Sequence, residues 1–186
     1  IRAAGAGKHV LCEKPMALTE EGAMEMIDAC ENQNVRLGVG FHLRHHPGVL
    51  EARDLIQSGA LGTIILAQAQ WAAGNPGIVT PPPRTGLEEW WDEPNMVGAG
   101  AMMATGVHLV DLLLFLLGQN VVEVSAVTDG HSKANQLERL GELVLRFDQG
   151  ALATASFSRR IPFSQNDLVV YGSKARLVLR GALDVT

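Results

Sequence analysis

The sequence predicts an α/β to α+β protein, in which the end of a parallel α/β domain is followed by an open, mostly antiparallel mixed sheet backed by helices. Two observations predict this. In the first forty residues, two short apolar runs flank a helical pattern, which is typical of parallel strands joined by a helix. Beyond residue 60, apolar and polar residues alternate with a period of two in several runs. The change predicts two domains, residues 1–40 and 41–186.

Composition and charge narrow the class further. The chain has 186 residues, of which 47% are hydrophobic and 19% charged, enough for a folded core. Its net charge is −5 and it has no long basic run, so nucleic acid is not an expected partner. The apolar stretch 109–117 contains Asp111 and is shorter than the roughly 20 residues of a membrane span, so no membrane is expected. Cys12 and Cys30 fall in a predicted strand and helix, which favours a reduced, cytoplasmic compartment.

The first predicted elements are a strand, a helix and a strand. Residues 8–12 form an apolar run that ends before Pro15, as a strand would. Thr19 is a suitable helix N-cap, and Asn34 ends the helical spacing of apolar residues. Residues 36–40 then read as the second strand. At this spacing the two strands are expected to pair in parallel.

The second domain is predicted to begin with a helix after Pro47 that stops at Ser58 and Gly59. A meander of strands and one further helix, 102–117, follow. The proline-rich segment 74–94, with Pro76, Pro81, Pro82, Pro83 and Pro94, is predicted to hold no regular helix or internal strand. The predicted strands are residues 65–71, 121–128, 143–147, 151–157, 168–171 and 176–179.

Two polar clusters follow the first two strands. Glu13, Lys14 and Pro15 end the first strand, and residues 40–47 leave the second. Because ligands bind at the carboxyl ends of parallel strands, both clusters are expected at one rim; the alternative for Lys14 is an ordinary surface lysine. The second cluster contains three histidines, His42, His45 and His46, and imidazole is a common zinc ligand. Adjacent histidines rarely point to one metal ion, however, and no acidic ligand or cysteine lies nearby. No metal site is therefore predicted.

The third cluster lies on the predicted helix 102–117. Regular helical spacing places Ala104, His108, Asp111 and Phe115 on one face. A carboxylate one turn from an imidazole can orient the ring for general base chemistry, although an isolated helix histidine is more often structural. The glycines at 98 and 100 do not form a dinucleotide fingerprint, since Met103 occupies the third glycine position.

Taken together in chain order, these clusters resemble the glucose–fructose oxidoreductase and inositol dehydrogenase (Gfo/Idh/MocA) family. The matching segments are residues 6–15, 40–47, 58–62 and 98–118. The resemblance implies the C-terminal part of an NAD(P)-binding Rossmann domain, followed by a domain for substrate binding and oligomerisation. It also implies an oxidoreductase that uses NAD or NADP on a sugar, polyol or related hydroxyl compound. The expected assembly is a dimer or tetramer formed through the open sheet.

The resemblance also implies residue roles. Lys14 would touch the nicotinamide and the reacting oxygen, and His108 would be the acid/base. The cofactor side would include Glu13, Lys14, Pro15 and Arg44. The substrate side would include His42, Trp90, Trp91 and Asp111, with Asp111 binding a hydroxyl or orienting His108.

The sequence departs from the family pattern at two places, and these departures leave an alternative to an active oxidoreductase open. Many relatives carry an aspartate four residues before the histidine, where this chain has Ala104. The glycine turn for the cofactor phosphates is absent from the 186 residues, and we expect it upstream of Ile1, with the isolated chain inactive. The alternative is a catalytically silent sugar-binding or oligomerisation module.

Overall fold

The computed structural model describes residues 1–78, 83–130, 137–163 and 166–181. Its backbone separates into two compact units, Ile1–His42 and Leu43–Thr186.

The first unit contains the predicted strand, helix and strand. Its elements are α1 (Arg2–Gly5), β1 (Val10–Cys12), α2 (Glu20–Asn32) and β2 (Leu37–Val39). The strands pair in parallel, as predicted, with Val10 opposite Leu37 and Cys12 opposite Val39.

The ends of α2 follow from local chemistry. The Thr19 hydroxyl accepts a hydrogen bond from the Gly22 N–H at 3.2 Å, which caps the helix. After the helix ends, Asn34 adopts a φ of 51°, a left-handed conformation that asparagine tolerates better than most residues. Cys30 is buried and Cys12 is partly buried, and both are free thiols.

The second unit is built on a six-stranded sheet. Its strands are β3 (Ile64–Ala72), β4 (Val121–Thr128), β5 (Leu140–Phe147), β6 (Leu152–Ser158), β7 (Asp167–Gly172) and β8 (Arg176–Arg180). Their order is β4-β5-β6-β3-β7-β8. The predicted meander is therefore wrong in one respect: β3 inserts between β6 and β7 and runs parallel to β6, while the other neighbours are antiparallel.

Helices cover one face of this sheet. A 3₁₀ turn (His42–His45) leads into α3 (Pro47–Gln57), and α4 (Pro94–Val97) precedes a π-helical turn (Met102–Gly106) and α5 (Val107–Leu117). The core of the unit joins α3 and α5 to alternate residues of the strands, such as Leu145, Phe147 and Phe157. The opposite face carries Gln70, Glu142 and Ser156 and is open, as the alternating pattern predicts.

Two local predictions are wrong. The proline-rich segment contains a 3₁₀ helix (Gly86–Asp92), because the seven residues fit between Pro83 and Pro94; Pro81 and Pro82 lie outside the described residues. The predicted helix 102–117 is not α-helical throughout, since its first five residues form a π turn.

The helical run Pro94–Leu117 also bears on the membrane prediction. It spans 24 residues with a mean hydropathy of 1.8 and so meets the length and composition criterion for a membrane span. Half of its most apolar 18-residue segment is buried inside the protein, which is also the pattern of a core helix in a folded domain.

Candidate active site

The polar cluster of the first unit lies where its two strands end. The Gly40 N–H donates to the Cys12 carbonyl at 2.8 Å, so the chain leaving β2 runs beside the chain leaving β1. A Cβ on Gly40 would lie 3.4 Å from Oε2 of Glu13. Glu13 and Gly40 are therefore neighbours at one rim, as expected for parallel strands.

Lys14 is the cation of this rim. Its side chain is half-buried, and this burial lowers the pKa of Lys14, against the opposing effect of the neighbouring Glu13 carboxylate. The Lys14–Pro15 peptide bond is cis.

The second unit buries two of the candidate residues. His108 is 3% exposed and Asp111 6% exposed, both on α5. Arg44 binds the Asp111 carboxylate through two nitrogens, with Nε 2.9 Å from Oδ2 and Nη2 2.5 Å from Oδ1. These hydrogen bonds raise the pKa of Arg44. The fold thus joins two residues that the sequence separates by 67 positions.

His108 lies against the sheet. Its ring centroid is 5.0 Å from that of Trp71, near the end of β3. Two residues before His108, Gly106 lets the helix approach Phe157 of β6, because a Cβ there would lie 3.1 Å from the Phe157 ring and 2.6 Å from Sδ of Met102. The Nδ1 atom of His108 is fully buried.

The π turn before His108 changes the predicted helix face. A π turn holds more residues than an α turn, so Ala104 and His108 do not follow the regular spacing on which their shared face was predicted. His108, Asp111 and Phe115 remain within the α-helical part. Such turns occur frequently at functional sites.

The two tryptophans pack against each other. Trp90 and Trp91 stack with ring centroids 4.4 Å apart and an interplanar angle of 28°. The Arg84 guanidinium lies 5.6 Å from the Trp91 ring centroid and binds Asp92 at 3.1 Å. Both tryptophans are thus partnered within the protein, and Trp90 is 41% exposed.

The histidines after β2 have separate positions. His42 is exposed at the start of its 3₁₀ turn. The Nδ1 atom of His46 accepts the Gly48 N–H at 3.2 Å and caps α3. Within the described part of the chain, no group of three or more His, Cys, Asp or Glu residues is arranged to hold a metal ion.

Two residues near His108 and its helix carried no sequence motif that predicted their place there. Trp71 contacts His108, and its place at the end of an alternating strand was the available signal. Glu138 binds the backbone where the His108 helix begins, and nothing in its sequence surroundings marks it.

Comparison with family models divides the chain in a similar way. Residues 1–41 match the model of an oxidoreductase family with an NAD-binding Rossmann fold, and residues 49–178 match the GFO/IDH/MocA C-terminal domain. The matched regions lie in the first and second units, respectively.

Individual proteins agree with this match. A 1,5-anhydro-D-fructose reductase from Ensifer adhaerens is 33% identical over 96% of the chain and 51% of its own length. An aldose-aldose oxidoreductase from Caulobacter crescentus, solved with glycerol, superposes with a TM-score of 0.86 at 28% identity, over 100% of this chain and 53% of that one. An inositol dehydrogenase homologue from Azotobacter vinelandii, solved with NAD⁺, has a TM-score of 0.86 at 25% identity, over 96% and 47%. The chain spans about half the length of these relatives.

Proposed function

The chain belongs to the GFO/IDH/MocA family of oxidoreductases, and on that premise we propose that it forms the substrate-side part of an NAD(P)-dependent enzyme. The enzyme would oxidise a hydroxyl carbon of a sugar, polyol or related compound, or reduce the corresponding carbonyl. The observation that carries the proposal is a histidine that is 97% buried, one helical turn from an ion-paired carboxylate. A general base needs such a controlled setting.

The residues after β1 fit the nicotinamide end of a dinucleotide. Gly40 has no side chain beside Glu13, which would help a flat ring to approach the strand ends. Glu13, Lys14 and Pro15 would hold that ring, and Arg44 is proposed as a further cofactor contact. When bound, the nicotinamide supplies the hydride acceptor or donor.

His108 would handle the proton. During oxidation, a ring nitrogen of His108 would take the hydroxyl proton as the hydride leaves the carbon for the nicotinamide, and during reduction it would return that proton to the carbonyl oxygen. Lys14 would bind the same oxygen through its ammonium group and stabilise the negative charge that develops there. In this scheme His108 moves the proton of the hydroxyl group, and Lys14 binds its oxygen.

Asp111 is proposed as an orienting or substrate-binding carboxylate. Nε and Nη2 of Arg44 donate three hydrogen bonds to its two oxygens, so the carboxylate cannot rotate freely. A fixed carboxylate can accept a hydrogen bond from a substrate hydroxyl or from the imidazole of His108. Together with His42 and the exposed ring of Trp90, which can pack on the apolar face of a sugar, it would complete the substrate side.

The open face of the sheet is proposed to bind a second copy of the chain, giving a dimer or tetramer. The face carries a shallow concavity of about 440 Å³ lined by polar and apolar residues. Gln68, Tyr171 and Arg176 are among them. A surface of this kind provides both hydrogen-bond partners and apolar area for association.

Replacing His108 by Asn tests the proposal in the whole protein that carries this chain. We expect turnover with NAD(P) and a panel of sugars and polyols to fall by roughly 10²- to 10⁴-fold, the usual contribution of a general base. The matched control is His45→Asn, since His45 is exposed at the end of the 3₁₀ turn before α3. Both variants are compared at equal folded fraction, judged by circular dichroism.

The outcomes separate the candidate functions. A turnover loss confined to His108→Asn supports the enzyme. Unchanged turnover in that variant removes His108 from the chemistry. If the wild-type protein binds sugars or self-associates but turns over none of the panel with either nucleotide, the non-catalytic binding or oligomerisation module is the better description.

A further inference from the structure

We propose that Glu138 is a positioning residue for His108, because its carboxylate holds the first turn of the helix that carries the histidine. The inference rests on the proposed role of His108 and goes beyond it. Glu138 lies just before β5 and is far from His108 in sequence.

Glu138 binds three consecutive backbone N–H groups. Oε2 accepts the Gly100 N–H at 2.8 Å, and Oε1 accepts the Met102 N–H at 2.7 Å. The Glu138 carbonyl accepts the Ala101 N–H between them, also at 2.8 Å. Helix starts leave such groups without intrahelical partners, and one acidic residue here satisfies three of them.

The surrounding glycines are shaped for this contact. A Cβ on Gly100 would overlap the backbone of Glu138, and a Cβ on Gly130 would lie 2.9 Å from the Glu138 Cβ. Gly100 is therefore not part of a dinucleotide fingerprint, and its lack of a side chain has a structural role. It lets the Glu138 backbone approach the start of the helix.

The backbone next to Glu138 is itself fixed by hydrogen bonds to Asp129. Oδ1 of Asp129, at the end of the β4 segment, accepts the N–H groups of Arg139 and Leu140 at 2.8 and 3.0 Å. Oδ2 of Asp129 accepts a hydrogen bond from Arg160 at 2.7 Å. The backbone that presents Glu138 is thus attached to two neighbouring strands of the sheet.

The π turn explains why this attachment matters for His108. Met102–Gly106 lies between two anchors, with Glu138 before it and the packing of Gly106 on Phe157 at its end. A π turn contains an extra residue and is less favourable than an α turn. Releasing the first anchor lets the turn relax toward α geometry, which rotates the residues next to it, and His108 comes two positions after the turn.

Three variants in the whole protein test the inference. Glu138→Gln keeps the size of the side chain but turns an N–H group toward a backbone N–H, and Glu138→Ala removes both acceptors. We expect kcat to fall by about tenfold to a hundredfold, the range that a displacement of about 1 Å produces, while KM changes by less than about twofold. The control, Glu51→Gln, makes the same change on the exposed side of α3.

Hydrogen exchange provides a readout that does not depend on turnover. We expect faster exchange at the amides of Gly100, Ala101 and Met102 in Glu138→Gln, with the strands of the sheet unchanged. Faster exchange together with a selective fall in kcat supports the positioning role. Unchanged kcat in a folded Glu138→Gln protein overturns it, as does a fall in kcat that matches the loss of folded protein.

His108→Asn, measured alongside, separates two kinds of failure. If His108→Asn is inactive and Glu138→Gln is fully active, only the positioning inference fails. If His108→Asn is active, the proposed function fails first.

Discussion

The two units of this protein present their candidate site residues in different ways. In the first unit, Glu13, Lys14 and Pro15 are consecutive, and the end of one strand is enough to bring them together. In the second unit, Arg44 reaches Asp111 across 67 positions and Glu138 reaches Gly100 across 38. The first cluster is a property of a local segment, whereas the second is a property of the packed domain.

Burial follows the same division. Among the described residues, the first unit buries only Ala4 and Cys30, while the hydrophobic core cluster consists entirely of residues from Leu43 onwards. A cluster at a lightly buried rim can change without disturbing a core. Because of this difference, we expect substitutions at the first cluster to change turnover alone, and those in the second unit to change turnover and the free energy of unfolding together.

Lys14→Met should give the largest effect and the cleanest separation of chemistry from stability. We expect turnover to fall by about 10²-fold or more, because the reacting oxygen loses its cationic partner, while the melting temperature stays nearly unchanged. Steady-state kinetics and thermal unfolding measure the two effects. Lys8→Met, at an exposed position before β1, is the control; equal turnover in the two variants would remove Lys14 from the site.

Substitutions in the Arg44–Asp111 pair of the second unit should, in contrast to Lys14→Met, lower stability. Asp111 is 6% exposed and the Arg44 side chain 42%, so Arg44→Met leaves a buried carboxylate without its main partner, whereas Asp111→Asn leaves a guanidinium that water can reach. We expect the free energy of unfolding to fall by about 2 to 4 kcal/mol for Arg44→Met and by about 1 to 2 kcal/mol for Asp111→Asn. Urea unfolding at neutral pH measures both.

Arg53→Met controls for the aromatic contact in this experiment. The guanidinium groups of Arg44 and Arg53 lie 5.2 and 4.9 Å from the Phe115 ring centroid, but only Arg44 binds Asp111. A loss of stability in Arg53→Met equal to that in Arg44→Met would show that the stacking, and not the ion pair, stabilises this region.

Asp129 should give the smallest effect, visible as a pH dependence. Burial by itself would raise the pKa of Asp129, but the hydrogen bonds from Arg139, Arg160 and Leu140 outweigh it and lower the pKa. A lowered carboxyl pKa contributes stability above the ordinary range of aspartate, and that stability is lost as the pH falls through the folded-state value. Asp129→Asn should therefore cost about 1 kcal/mol at neutral pH, with a smaller difference in acid.

Urea unfolding between neutral pH and the carboxyl range checks this expectation. Asp28→Asn, on the exposed side of α2, is the matched control. A constant difference between wild type and Asp129→Asn across the whole pH range would contradict the assigned cause.

Much of the fold could be predicted because it depends on local signals. Thr19 and Asn34 mark the ends of α2, and the alternating runs locate the strands to within a few residues. The turn before β6 is another example, since Gly150 adopts a φ of 91° that favours glycine. The insertion of β3 beside β6 and the π turn before His108 were not predictable in this way, because strand order and an added helical residue leave no periodic pattern.

The candidate site divides along the same line. By itself, the sequence determined the residue types, the parallel strand pair that carries Lys14, and the helix that carries His108 and Asp111, because spacing and capping act within a few residues. Only the tertiary structure decided that Arg44 binds Asp111, that Trp71 contacts His108 and that Glu138 holds the start of the helix. Those contacts depend on which strand lies beside which and on how the helices pack on the sheet, and these are outcomes of burying the whole core at once.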